Sequence, residues 1–146
     1  MATAQDIIRD LDLRPHPEGG WYRETWREPS ESGARDLATG IHFLLAEGQR
    51  SHWHRVDAAE MWIFNAGDPL RLRGAMGRDG AEAVPDVTLG RDLGAGHVFQ
   101  HRYCAGQWQE ASPLGAWTLV TCVVSPGFDF AGFELAPPGW TPACLR

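Results

Sequence analysis

Basic residues never cluster in this sequence. Its 13 Lys and Arg are spread through 146 residues against 19 acidic ones, for a formal net charge of −6. A nucleic-acid surface, which needs a concentrated basic stripe, is therefore not expected. No window approaches the ~18 consecutive apolar residues of a membrane helix. The opening MATAQDIIRDLDLRPHP lacks a basic stretch followed by a long apolar one, so no signal peptide is expected. The three cysteines, Cys104, Cys122 and Cys144, are far apart and form no C-x-x-C pair. Neither a zinc knuckle nor a disulfide frame is indicated, and the expectation is a cytoplasmic protein with free thiols. No serine sits in a G-x-S-x-G turn, and GAGHVF lacks the flanks of a dinucleotide fingerprint. Tyrosine is scarce, at two, while tryptophan reaches seven. Most of those indoles are expected in packing.

A hydrophobic content of 43% and a charged content of 22% are ordinary for a globular chain. The length suits a single domain spanning residues 1–146. Thr3 with Asp6 resembles a capping box, and Ile7, Ile8 and Leu11 then share a helical face, so a helix is expected over about residues 4–14. Pro15 and Pro17 end it. From about Gly40 onward, short apolar runs alternate with Gly, Pro, Asn and Asp. TGIHFLLA, SHWHRV, EMWIFNAG, LRLRGAM, VPDVTLG, HVFQHRYCAGQW and WTLVTCVV read as strands of an all-β sandwich or barrel over about residues 18–136.

The stretch SHWHRVDAAEMW, Ser51 to Trp62, carries the densest chemistry. On a regular strand His52 and His54 point the same way and Trp53 points opposite. Glu60 opens the next strand, with Trp62 and Phe64 on its face. If the strands are neighbours, His52, His54 and Glu60 converge. Two imidazoles and a carboxylate suit a divalent transition metal. Without metal, a histidine whose tautomer Glu60 holds suits general-base chemistry.

Gly48-x3-His52-x-His54-x5-Glu60-x6-Gly67 resembles the first motif of the cupin superfamily, with a shorter first gap and a longer gap before Glu60. The second motif is matched loosely by Cys104-x-Gly106-x-x-Gln109, where Gln109 stands in place of a histidine. RPHPEGGWYRETWR, RSHWHRV, VVSPGFDFAGFEL and PPGWTP are similar to an uncharacterised cupin branch, over nearly the whole chain. The resemblance implies a jelly roll (a double-stranded β-helix barrel with a short N-terminal helix), a pocket between its sheets, and a homodimer. It implies a metal set of His52, His54, Glu60 and Gln109, holding one zinc, nickel, iron or manganese ion; a metal-free site is equally open. Ile63 and Asn65 stand where that branch carries a histidine and a tyrosine, on the face opposite Glu60.

Expected substrate contacts are Gln109, Trp62, Phe64, Gln100 (in the block resembling the pocket strand) and His16 in the HPEGG turn, where Glu18 is a second polar candidate. His42, His97 and His101 are expected in packing or at the surface. Three readings follow. One is a small-molecule enzyme, an isomerase or epimerase or a metal-dependent enzyme, using His52, His54 and Glu60. The second is a non-enzymatic module that binds or senses a metabolite in a tryptophan-rich pocket. The third, a purely structural role, leaves the burial of two histidines and a glutamate unexplained.

Overall fold

The computed structural model describes all 146 residues. Thr3 caps α1 (Ala4–Asp10): its hydroxyl accepts the Asp6 amide while the Asp6 carboxylate accepts the Thr3 amide. The helix stops short of the expected Arg14 because Asp12 turns the chain with a left-handed φ of 51°, a conformation that a short polar side chain tolerates. Ile7, Ile8 and Leu11 pack on Leu13, Leu44 and Trp117.

The strands are β1 (Arg14–Pro15), β2 (Trp21–Glu28), β3 (Ala38–Ala46), β4 (Ser51–Val56), β5 (Ala59–Gly67), β6 (Leu70–Met76), β7 (Glu82–Ala83), β8 (Val87–Leu89), β9 (Gln100–Tyr103), β10 (Trp108–Pro113), β11 (Trp117–Ser125) and β12 (Phe133–Leu135). They build two facing antiparallel sheets, a jelly roll. One runs β1-β2-β3-β11-β5-β9; the other runs β12-β4-β10-β6-β7, with β8 also on β6. Between the sheets lie Phe43, Leu45, Trp62, Leu70, Leu72, Leu89, Tyr103, Ala111, Val120 and Cys122. Leu45, Leu70 and Leu72 are almost wholly buried, and each such side chain stabilises the fold by about 1.5–3 kcal/mol through the apolar surface it removes from water.

The sequence pattern misses β2 and misplaces β10. WYRETWRE has few apolar residues because most of that strand is exposed. The run HVFQHRYCAGQW is not one strand: β9 ends at Tyr103, Gly106 turns with φ 79°, and β10 begins at Trp108. β10 hides Gln109 and Glu110, polar residues that no hydrophobic pattern marks as interior.

A β-bulge in β4 positions the site. Gln109 of β10 lies opposite His54, and Ala111 opposite Ser51, so three steps along β4 match two along β10. The extra residue reverses the alternation. Ser51 and His54 therefore share a face, and His52 joins Trp53 on the other. Trp53 packs there with Ala75, Trp108 and Ala136, under Trp140 and Cys144 of the C-terminal segment.

Candidate functional site

One end of the space between the sheets opens into a cavity of about 380 Å³. Its inner end is polar, carrying His16, Glu18, His54, Glu60 and Cys122; Tyr22, Phe128, Phe130 and Phe133 form an aromatic wall. Glu24, Arg27, Arg35, Asp36 and Asp129 surround the mouth.

Glu18 comes from the HPEGG turn. That turn is held against β4 because the Glu18 carbonyl accepts the His52 amide at 2.7 Å. Gly19 has φ 110°, and a Cβ there would collide with the Arg50 carbonyl; only glycine meets both demands. The result is a buried carboxylate whose Oε2 accepts the Ser51 hydroxyl at 2.6 Å and the His54 Nδ1–H at 2.7 Å. The His52 carbonyl lies 2.8 Å from the same Nδ1. Both partners are acceptors, so Nδ1 carries a proton and Nε2 is left for the cavity.

His16 has the opposite tautomer. Its Nδ1 accepts the Glu18 amide N–H at 3.1 Å, so the 3.3 Å approach to Glu18 Oε1 is not an ion pair. Burial lowers the His16 pKa, against the pull of the Glu18 charge, and the ring is neutral with Nε2–H toward the cavity.

The three buried titratable groups that remain, His54, Glu18 and Glu60, are pushed in useful directions. Burial alone would depress His54, but the charge and hydrogen bond of Glu18, with the charge of Glu60, raise its pKa to about 9. Burial would raise Glu18, yet the charge and hydrogen bond of His54, with the Ser51 hydroxyl, hold it below its usual value. Glu60 lacks such a partner. Burial and the Glu18 charge outweigh His54, Gln109 and Cys122 and raise its pKa to about 7. Its Oε1 is buried without any hydrogen-bond partner. Burial also keeps the neighbouring Cys122 thiol protonated.

The four expected metal ligands do not assemble. His54 and Glu60 line the cavity. His52 does not: the bulge turns it outward, where Nε2 meets the Pro137 carbonyl at 3.0 Å and Nδ1 meets the Arg50 guanidinium at 2.7 Å. Gln109 is buried, but its carbonyl oxygen accepts the Trp62 indole N–H at 2.8 Å. His54 Nδ1 is committed to Glu18. No group of three or more His, Cys, Asp or Glu is arranged to hold an ion, and the residues do not fit the metal that the fold family implies.

Of the expected substrate contacts, only His16 and its alternative in the same turn, Glu18, reach the cavity. Trp62 is core, Phe64 packs at the margin of that core, and Gln100 is exposed on β9. No tryptophan lines the cavity, so the aromatic surface comes from Tyr22 and the phenylalanines instead. Ser51 and the mouth residues had no signal in the sequence; Glu18 had one, its place in a Gly-Gly turn. His42 faces Thr121 and Arg23 across its sheet, away from the cavity.

A profile of the family described as Cupin superfamily (DUF985) matches residues 5–136. A solved Shewanella oneidensis protein is 38% identical, with 93% of this chain and 85% of that chain covered and a TM-score of 0.86. A hypothetical protein from Leishmania major is 33% identical, covering 95% and 90% at a TM-score of 0.83. An oxalate decarboxylase from Lactobacillus farciminis shares the fold at 22% identity and a TM-score of 0.57, over 84% of this chain and 33% of that one. No curated protein matches the chain. Profile and structures agree, and the chain belongs to the DUF985 family of the cupin superfamily.

Proposed function

We propose that this cupin is an acid–base enzyme of the isomerase or epimerase type, acting on a small carbonyl compound. The observation that carries this reading is the pairing of an unpartnered, buried Glu60 oxygen with a histidine held cationic by Glu18. Glu60, with a pKa near neutrality, removes a proton from the carbon beside the carbonyl. The His54 Nε2–H hydrogen-bonds the carbonyl oxygen and stabilises the negative charge that develops there. Glu60 then returns the proton to the former carbonyl carbon, giving an isomer as His54 passes a proton between the two enediol oxygens. Returned instead to the other face of the same carbon, once the enolate has turned in the site, the proton gives an epimer. The roles differ from the sequence expectation: Glu18, not Glu60, orients the imidazole, and the glutamate rather than the histidine is the base. The chain contains no lysine, so carbonyl activation through a lysine imine is unavailable.

The test is hydrogen exchange in D2O, followed by NMR, across a panel of small aldoses and hydroxyketones. The expected result is loss of the C–H signal beside the carbonyl with the native protein, and none with Glu60→Gln. The rate should be highest between pH about 7 and about 9, where Glu60 is ionised and His54 still charged. Absence of exchange across the panel sinks the enzymatic reading. The aromatic wall supports the second reading, a metabolite-binding module, which binding without exchange would favour. A homodimer and a cytoplasmic location, consistent with three free cysteines, complete the proposal; light scattering checks the former. No helix is long and apolar enough to cross a membrane.

A further inference from the structure

Negative charge predominates around the cavity. Glu18, Glu24, Asp36, Glu60 and Asp129 line it, against Arg27, Arg35 and the His54 cation. Each of those cations is already spoken for. The Arg27 guanidinium reaches Glu24 and Asp36, both at 2.7 Å, and its two terminal nitrogens donate to the Phe128 carbonyl at 3.3 Å. Arg35 grips Asp57 with both terminal nitrogens, at 3.0 and 2.8 Å, and donates its Nε–H to the Gly127 carbonyl. His54 is paired with Glu18. The arginines thus stitch the mouth segments together instead of presenting a fork to a ligand, and lysine is absent from the chain.

Resting on the acid–base reading above, we infer that the substrate is an uncharged, hydroxyl-bearing carbonyl compound, and that phosphate esters, nucleotide-linked compounds and carboxylic acids are refused. A bound anion would meet Glu60 and Asp129, and the one cation facing it with an open donor, His54, is already charge-balanced by Glu18. One such unpaired like charge at contact distance in a screened, partly buried site outweighs a tenfold difference in affinity. The groups left over suit hydroxyls. The Glu60 carboxylate lines the cavity and is short of donors, so a ligand O–H can satisfy it. The His16 Nε2–H and the Tyr22 hydroxyl are further polar points on the same lining. Phe128, Phe130 and Phe133 pack against one another with centroids 4.9 to 6.0 Å apart and offer a flat apolar surface to the C–H face of a ring. The volume, about 380 Å³, lies at the small end of the range for ligand pockets. Oxalate, the substrate in the names of several fold relatives, is a dianion and falls in the refused class.

The experiment compares matched pairs by saturation-transfer NMR and calorimetry: free hexoses and pentoses against their phosphate esters, with oxalate as a small dianion. The same tubes are read for C–H exchange in D2O. The expected result is binding of at least one free sugar about tenfold or more tighter than its phosphate ester, with oxalate silent. Equal or tighter binding of the esters or of oxalate overturns the inference, as does binding of neither member of any pair. The two proposals fail separately. A free sugar that binds without exchange leaves the charge selectivity standing and removes the chemistry. Exchange on a phosphorylated or acidic compound keeps the chemistry and removes the selectivity. An Asp129→Asn variant, which drops one mouth carboxylate outside the proposed proton-transfer pair, should narrow the gap between sugar and ester; an unchanged gap also counts against the inference.

Discussion

Glu18 and Glu60 are both buried carboxylates, with 7% of their surface exposed, yet they are held in opposite states. The difference lies in their partners. Glu18 has a hydroxyl and an imidazole N–H on one oxygen, while Glu60 has an oxygen with nothing. A Glu18→Gln variant keeps the shape and removes the charge that sustains the His54 cation, so His54 should titrate below 6.5 instead of near 9. Imidazole shifts followed by NMR check this. Glu60 supplies a stability test with a definite sign. Its folded pKa lies above the unfolded 4.5, at about 7, so between those values the folded state keeps a proton that the unfolded state has lost. Its contribution is complete below pH 4.5 and is lost as pH rises through 7, amounting to something on the order of 3 kcal/mol. Glu60→Gln should flatten that part of the stability-against-pH curve, measured by urea denaturation at stepped pH; an unchanged slope would show that burial does not govern Glu60.

At the scale of elements, β4 and β2 both depart from simple alternation, and both departures build the cavity. In β4 the bulge exchanges His52 for Ser51 on the inner face. In β2, Glu24 lies opposite Ile41 while Trp26 lies opposite Gly40; the extra residue lets Tyr22, Glu24 and Arg27 all line the cavity. His52→Ala is therefore expected to leave the His54 titration where it is and to cost about 1 kcal/mol, the worth of its hydrogen bond to the Pro137 carbonyl. A moved His54 titration would mean that the two rings share a face after all. These elements also show what a single sequence can tell. The runs of β3, β5, β6 and β11 announce themselves by apolar content, and the capping box marks α1. A bulge has no such signature, because it is a property of two strands in register and the partner is far away in the chain. The HPEGG turn marks Glu18 as a polar candidate, but its role is hidden for the same reason: its partner His54 belongs to another segment.

Across the whole molecule, the seven tryptophans and the chemistry are kept apart. Trp53, Trp108 and Trp140 gather on the outer face of the second sheet, with Trp53–Trp140 and Trp108–Trp140 centroids at 6.4 and 4.4 Å. Arg55 covers Trp108 from 4.5 Å. The chain after β12 acts as a clasp over this patch, fastened by the Ala143 and Cys144 amides to the Asp79 and Gly80 carbonyls. Trp140→Ala should cost about 2 kcal/mol, less than the 3–5 of a fully buried aromatic, as measured by urea denaturation with fluorescence detection. Exchange chemistry at the cavity should be unaffected, since no tryptophan belongs to its lining.

The interior is specified by counting as much as by residue type. From Ser51 to His54 the chain takes three steps where its neighbour takes two, and that odd remainder decides which imidazole the barrel receives. Read letter by letter, SHWHRV offers a pair of histidines. Read by parity, it offers one histidine and a serine, so relatives that keep the letters but differ by one residue in this strand would present a different interior.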